Sequence, residues 1–483
     1  MPIWMPPPRS VAHHETTSDL KKGLDTMPDT KQKIPDYWKW FTDSRYGLFI
    51  HWGPYAAYGR GEQVLFREHL DHQEYADQAC NWNPEHFDAR LWARTAKAAG
   101  FKYACFTTRH HDGFCMWDSA YTDYSSARQA AGRDFVREYV EAFRAEGLRV
   151  GLYYSWIDWR LPAYFDGPQK DPQGWEKVRD YLHNQVKELL TNYGQIDHFF
   201  FDGVWPRNAD DLGSVELLEE MRRLQPHILV NNRLGYSEQH DGFRADGGVG
   251  AGDSDTLGDF GTPEHVIVPD DRRLWESCQV TTWRLWSHSL GERWRPADVL
   301  LDMLVDCVQK GGGPTGGGGN LLLNVGPMAD GQLPPEFVER AMQIGRWLEV
   351  HGEAVYGTDG GSVTEFITRG WQTTRENHLY LIIRFWDGRP QLRLADLTTP
   401  VEAVTLLTTG QELAFRQDGE VLYIDGLPVE SPTSLFPVIR ITCKDRPVAN
   451  QWGRERLWEG DPSRIAQWAQ RRGTSVYADG LER

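Results

Sequence analysis

Cysteine is sparse in this 483-residue chain. There are six (Cys80, Cys105, Cys115, Cys278, Cys307 and Cys443), and no two form a C-x-x-C pair. That spacing excludes a disulfide scaffold and a zinc ribbon, and thiols inside apolar runs act as small hydrophobes. Long apolar runs are missing as well. Nothing approaches the ~18 consecutive residues that a membrane span needs. Basic side chains are in deficit, 52 against 69 acidic ones, for a formal charge of −17. Such a surface repels phosphate backbones and anionic lipid, which argues against nucleic acid and membrane as partners. No H-E-x-x-H is present, and the Gly-rich stretch 311–319 lacks the G-K-[ST] ending of a phosphate-binding loop. The N-terminal Pro6-Pro7-Pro8 leads into charged residues up to Ile34 rather than the apolar core of a secretion signal. The expected location is therefore cytoplasmic by default, with secretion left open.

What the chain has is apolar bulk: 40% hydrophobic residues and 12% aromatic, ample for a large core. Flat rings in that number also suit packing against sugar rings. Residues 1–34 read as a loosely attached arm. From 35 to 356, short apolar runs alternate with helical stripes. The runs are Tyr46–Ile50, Lys102–Thr107, Arg149–Tyr154, Ile196–Phe201, Ile228–Val230, a weaker one near Trp275, and Asn320–Val325. Helices are expected around 135–146, 178–189, 88–99, 215–224, 296–310 and 335–350. Repeated strand–helix units predict a (β/α)8-like barrel or a doubly wound sheet. The polar residues decide for the barrel. Most runs end in a group able to do chemistry, and a closed barrel gathers those ends into one ring. Over 357–445, short runs separated by Asp-Gly turns predict an antiparallel β-sandwich. The tail, 446–483, carries Trp452, Trp458 and Trp468.

Asp202 closes a run of three Phe residues, so its carboxylate needs donors or must protonate. His51 shares a strand face with Phe49, and Asp202 shares one with Phe200. The adjacent His110 and His111 fit recognition of ring hydroxyls better than chelation of one metal ion. A second carboxylate for acid/base work comes from Glu264, a loop residue in a Thr-Pro-Glu segment, or from Glu276, in Trp-Glu-Ser-Cys at the expected end of the weak run near Trp275. Gly247–Asp259 reads as a solvated loop.

The segments Tyr37-Trp38, Gly47-Leu48-Phe49-Ile50-His51-Trp52-Gly53-Pro54 and Thr107-Thr108-Arg109-His110-His111-Asp112-Gly113-Phe114 together resemble one family, the retaining α-L-fucosidases of glycoside hydrolase family 29. Gly151-Leu152-Tyr153-Tyr154-Ser155, Phe201-Asp202-Gly203, Asn231-Asn232-Arg233 and Asn320-Leu321-Leu322-Leu323-Asn324-Val325-Gly326-Pro327 extend the resemblance over about 37–350. It implies a barrel followed by a β-sandwich, with Asp202 as the nucleophile. It also implies a fucose subsite lined by His51, Glu62, His110, His111, Tyr153 and Arg233, although Gln63 follows Glu62 where the family has an aromatic residue. The fucose methyl group would sit against Phe49, Tyr153 and Phe200. Glu264, delivered by a mobile loop, is preferred as the acid/base over Glu276. No metal or organic cofactor is required, and the expected partner is a fucosylated oligosaccharide or glycoconjugate, with a homo-oligomer left open. Three alternatives stand beside this reading: a metal-dependent hydrolase on a barrel with His51, His110, His111 and Asp202 as ligands, a retaining glycosidase of different sugar specificity, and a non-catalytic fucose-binding protein.

Overall fold

The structure, a computed structural model, describes residues 34–235, 257–270, 273–310, 319–360 and 369–449. The N-terminal arm up to residue 33, most of the Gly247–Asp259 and 311–319 stretches, and the three tail tryptophans lie outside them.

Eight parallel strands form the first sheet: β1 (Tyr46–Ile50), β2 (Tyr103–Arg109), β3 (Arg149–Ser155), β4 (His198–Asp202), β5 (Leu229–Val230), β6 (Phe260–Gly261), β7 (Leu274–Val280) and β8 (Asn320–Val325). Their order is β5-β4-β3-β2-β1-β8-β7-β6. A single parallel bridge between Asn231 and Phe260 brings the two end strands together and closes the barrel. Side chains inside and outside are both buried, as β1 shows with all five residues covered. The sequence therefore reads as continuous apolar runs rather than alternation.

Helices cover the barrel, and their ends are written locally. Asp88 accepts from the backbone N–H groups of Arg90 and Leu91 at the start of Ala89–Ala98. Asp134 does the same for Arg137 at the start of Phe135–Ala145, whose exit is the left-handed Gly147. Among the described residues, no helix is long and apolar enough to cross a membrane.

Beyond the helix Pro335–His351 come eight antiparallel strands: β9 (Gly370–Arg375), β10 (His378–Ile383), β11 (Gln391–Leu394), β12 (Val401–Leu406), β13 (Gln411–Glu412), β14 (Ala414–Asp418), β15 (Val421–Asp425) and β16 (Val438–Cys443). They form a five-stranded and a three-stranded sheet. Leu379, Leu381, Ile439 and Ile441 of one pack with Leu392, Leu394, Leu422 and Ile424 of the other in a core of their own. Within the barrel sheet, two strands differ from the sequence reading. β6 was not expected at all. β7 runs on through Ser277, Cys278 and Gln279 to Val280, which puts Glu276 in its lower half and not at its C-terminal edge.

Candidate active site

The C-terminal ends of the strands converge as the barrel requires, and Asp202, the last residue of β4, stands at the centre. Tyr153 donates its phenolic O–H to Asp202 Oδ2 at 2.8 Å, and Arg233 donates Nη1–H to Oδ1 at 2.9 Å. His111 Nε2 is 3.9 Å from Oδ2. Burial opposes the negative charge, but the Arg233 guanidinium and the Tyr153 hydroxyl outweigh it and hold the carboxyl below the ordinary aspartate value. The next residue, Gly203, has φ 68°. A Cβ there would stand 2.8 Å from Ser155 Oγ and 2.9 Å from His111 Cε1, so only glycine lets the chain turn beside the histidine.

The other nitrogen of the Arg233 fork, Nη2, donates to Glu264 Oε2 at 2.9 Å. One guanidinium thus holds both carboxylates, and Thr262 fixes it by accepting from Nε at 3.0 Å. Glu264 does not ride on a free loop, as the sequence reading had it. It bridges Cys278 of β7, with Cys278 N–H donating to the Pro263 carbonyl and His265 N–H to the Cys278 carbonyl. His265, at φ 59°, puts Nε2 3.7 Å from Glu264 Oε1.

Glu276 is elsewhere. It is fully buried in the barrel, accepting from Tyr103 O–H at 2.6 Å and paired with His198 Nε2 at 2.8 Å. Tyr103 and His198 both lie towards the strand starts. This arrangement corrects the placement of Glu276 among the acid/base candidates, since its oxygens are spent on a buried polar cluster with no opening to the mouth.

The histidines frame one side of Asp202. His51 Nδ1 meets Asn324 Oδ1 at 2.6 Å, while Asn324 Nδ2 donates to the Trp286 carbonyl at 2.6 Å. Asn324 Oδ1 is therefore the acceptor, and His51 carries its proton on Nδ1, leaving Nε2 to accept. The Ser155 hydroxyl donates to the Ile157 carbonyl at 3.0 Å, so it accepts from His111 Nδ1 at 2.7 Å, which again leaves Nε2 free to accept. His110 stacks on Tyr153 at 5.7 Å, and its Nδ1 has no hydrogen-bond partner. Burial keeps all three imidazoles neutral, with His51 pushed down to about 3, His111 to about 4 and His110 far below its usual value.

Phe49 and Phe200 lie 5.1 Å apart, and each is within 6 Å of Tyr153. They make a dry floor beneath the mouth. Glu62 is buried, accepting from the Trp286 and Ser287 backbone N–H groups at 3.1 Å each, and burial pushes its carboxyl up. The sequence reading missed Trp286, whose ring lies 5.1 Å from His51 and 5.9 Å from Phe49. It also missed Asn324 and Ser155 as the residues that orient the histidines. A Trp-rich segment at 283–286 was the signal for the first. The other two sat inside motifs already quoted. Among the described residues, no group of three or more His, Cys, Asp or Glu side chains is arranged to hold a metal ion.

A parallel barrel with two carboxylates held on one arginine at its C-terminal mouth defines a glycosidase-type hydrolase site. A family model described as alpha-L-fucosidase matches residues 12–353, and the chain belongs to that family. The chain is 28% identical over 457 residues to the tissue alpha-L-fucosidase of Rattus norvegicus, covering 89% of this chain and 92% of the relative. An alpha-L-fucosidase isoenzyme of Paenibacillus thiaminolyticus superposes with a TM-score of 0.75 at 34% identity, covering 85% of this chain and 99% of its own. A Bacteroides thetaiotaomicron alpha-L-fucosidase, solved as a trapped covalent intermediate, superposes with a TM-score of 0.74 at 28% identity over 85% and 97% of the two chains.

Proposed function

We propose that the protein is an exo-acting, retaining α-L-fucosidase that removes terminal fucose from fucosylated glycans by double displacement. The observation that supports this reading is the Arg233 fork, whose two nitrogens donate to Asp202 and to Glu264 at the C-terminal end of the barrel. Asp202 Oδ attacks the anomeric carbon as the glycosidic bond breaks. Glu264 gives its proton to the departing oxygen, and a glycosyl-enzyme ester forms on Asp202. Water then attacks the same carbon, deprotonated by Glu264, and Asp202 leaves as a carboxylate. Free Asp202 must be charged to attack, and Arg233 and Tyr153 secure that. Glu264 must be protonated to act, so substrate entry has to loosen its contact with Arg233.

Fucose is neutral and lacks the sixth hydroxyl. Neutral His51 and His111 offer Nε2 acceptors to its ring hydroxyls, and the Phe49–Phe200–Tyr153 floor with Trp286 offers an apolar wall to its methyl group. A hexose would bring a hydroxyl to that wall and leave it unpaired.

The test is an aryl α-L-fucoside assay with Asp202→Gly. Turnover is expected to fall by several orders of magnitude, and azide is expected to restore it with β-fucosyl azide as product. In the same assay, Glu264→Gln should slow substrates with poor leaving groups far more than activated ones. Loss in Asp202→Gly without azide rescue would remove Asp202 as nucleophile.

A further inference from the structure

Asp202 and the histidines account for a terminal sugar but not for the residue to which it is linked. Three aromatic side chains that the reaction does not use stand at the rim. Phe66, on the short helix Val64–Arg67 just beyond Glu62, is 61% exposed. Its ring stacks on Trp159 at 5.6 Å and 20°. Trp159 follows β3; it meets the His111 ring edge-on at 5.5 Å and donates its backbone N–H to the His111 carbonyl. Trp205, three residues beyond Asp202, meets the same imidazole edge-on at 5.6 Å and is 39% exposed. The loops after β1, β3 and β4 therefore set aromatic faces around one histidine, and that histidine lies beside Asp202.

Phe66 and Trp205 contribute little to the fold for their size, because each keeps a large part of its surface in solvent, 61% and 39% respectively, while Trp159 beneath Phe66 is anchored on the core. The value of these rings lies in what they can cover. The pocket floor is closed by Phe49 and Phe200, so a bound glycan can leave only through the mouth, and its second sugar must pass this rim. A pyranose has one face of C–H bonds, which packs on an aromatic ring as another apolar face would.

We infer that Phe66 and Trp159, flanked by Trp205, form an aglycone subsite that takes the C–H face of the pyranose bearing the fucose. This rests on the fucosidase reading above, and the test keeps the two apart. It compares kcat/KM for α-L-fucosyl fluoride, whose leaving group has no ring, with kcat/KM for a fucosyl-lactose trisaccharide.

Phe66→Ala should lower the trisaccharide value by about 5- to 10-fold through KM, the size of one lost ring contact. The fluoride value should move less than twofold, and Phe66→Tyr should restore trisaccharide turnover. Equal losses on both substrates, or no change on either, would overturn the subsite. A wild-type enzyme inert towards the fluoride would overturn the fucosidase reading itself, and the subsite with it.

Discussion

His51, His110 and His111 are kept uncharged by the packing around them, and that ties stability to pH. In the unfolded chain an imidazole titrates near 6.5, whereas folded His51 resists protonation down to about 3 and folded His111 down to about 4. Between those limits the unfolded state binds the extra protons. The contribution of each histidine is thus complete above pH 6.5 and is lost as pH falls towards 4. Asp112, raised by burial to about 6, and Glu62, also raised by burial, act in the opposite direction, because their folded forms take up protons first. Within the site, the three histidines outnumber these two carboxyls, and Asp202, held low in the folded state, also loses its contribution on acidification, so the site's groups together lose stability as pH falls. His51→Gln should flatten the dependence of unfolding free energy on pH between 6 and 4.5 by about 1.4 kcal/mol per pH unit, one proton's worth. Urea titrations at several pH values would check this, and an unchanged slope would mean that His51 is charged in the folded state.

The segment 285–288, between β7 and β8, carries Trp286 and is fastened from two sides. Glu62 accepts its backbone N–H groups at residues 286 and 287, and Asn324 donates to the carbonyl of 286. Gly326, just past β8, allows a third approach. A Cβ there would stand 2.4 Å from His288 N and Ser287 C, which are backbone atoms with little room to yield. Gly326→Ala should push the segment off Glu62 and raise KM for an aryl fucoside several-fold, with a smaller effect on the melting temperature. Steady-state kinetics beside a thermal scan would separate the two effects.

At this scale the sequence was most readable where burial on both strand faces left unbroken apolar runs, as in β1 and β8. It was least readable where polar residues are buried. β9 contains Gln372, Thr373 and Thr374, all covered, with Thr373 donating to the Ala354 carbonyl, so no apolar run marks it. β6 is two residues long and is held by β7 and the Asn231 bridge rather than by its own composition. Glu276 was misplaced for a related reason: the polar half of β7 looked like a strand end. The site itself was largely legible, because His51, His110, His111, Tyr153, Asp202 and Arg233 each sit within two or three residues of a strand's C-terminal end. The contact between Glu264 and Arg233 was not, since no local pattern reports a pairing across 31 positions.

For the molecule as a whole, the barrel and the sandwich share apolar packing, with Tyr380, Ile382, Phe436 and Val438 buried in the barrel's own cluster, and polar groups on the outer helices add to it. Asp302, on Ala297–Gln309, accepts from Trp371 Nε1 at 2.9 Å and pairs with Arg384 at 3.1 Å. Trp347 donates to the Phe436 carbonyl at 2.7 Å, and His351 Nε2 meets Thr408 Oγ1 at 2.9 Å. Asp302→Ala removes two contacts on a partly buried carboxylate, a loss of about 1–2 kcal/mol. It should lower the melting temperature by a few degrees and widen the transition in calorimetry. Activity at room temperature should hold within twofold, because the helix packs outside the barrel wall. A sharp, unshifted transition would show that the two units are held by other contacts.

The shared arginine has a further consequence. Arg233 serves both Asp202 and Glu264, and burial keeps the neighbouring His111 and His265 from adding positive charge. The ionised Asp202 therefore faces the opening with no further cation brought against it by these imidazoles. A sugar ring that turns cationic as its anomeric bond stretches meets that carboxylate unopposed, so the attraction is greatest at the crest of the barrier. A uronic acid would bring its own carboxylate against Asp202 and be turned away before any chemistry begins.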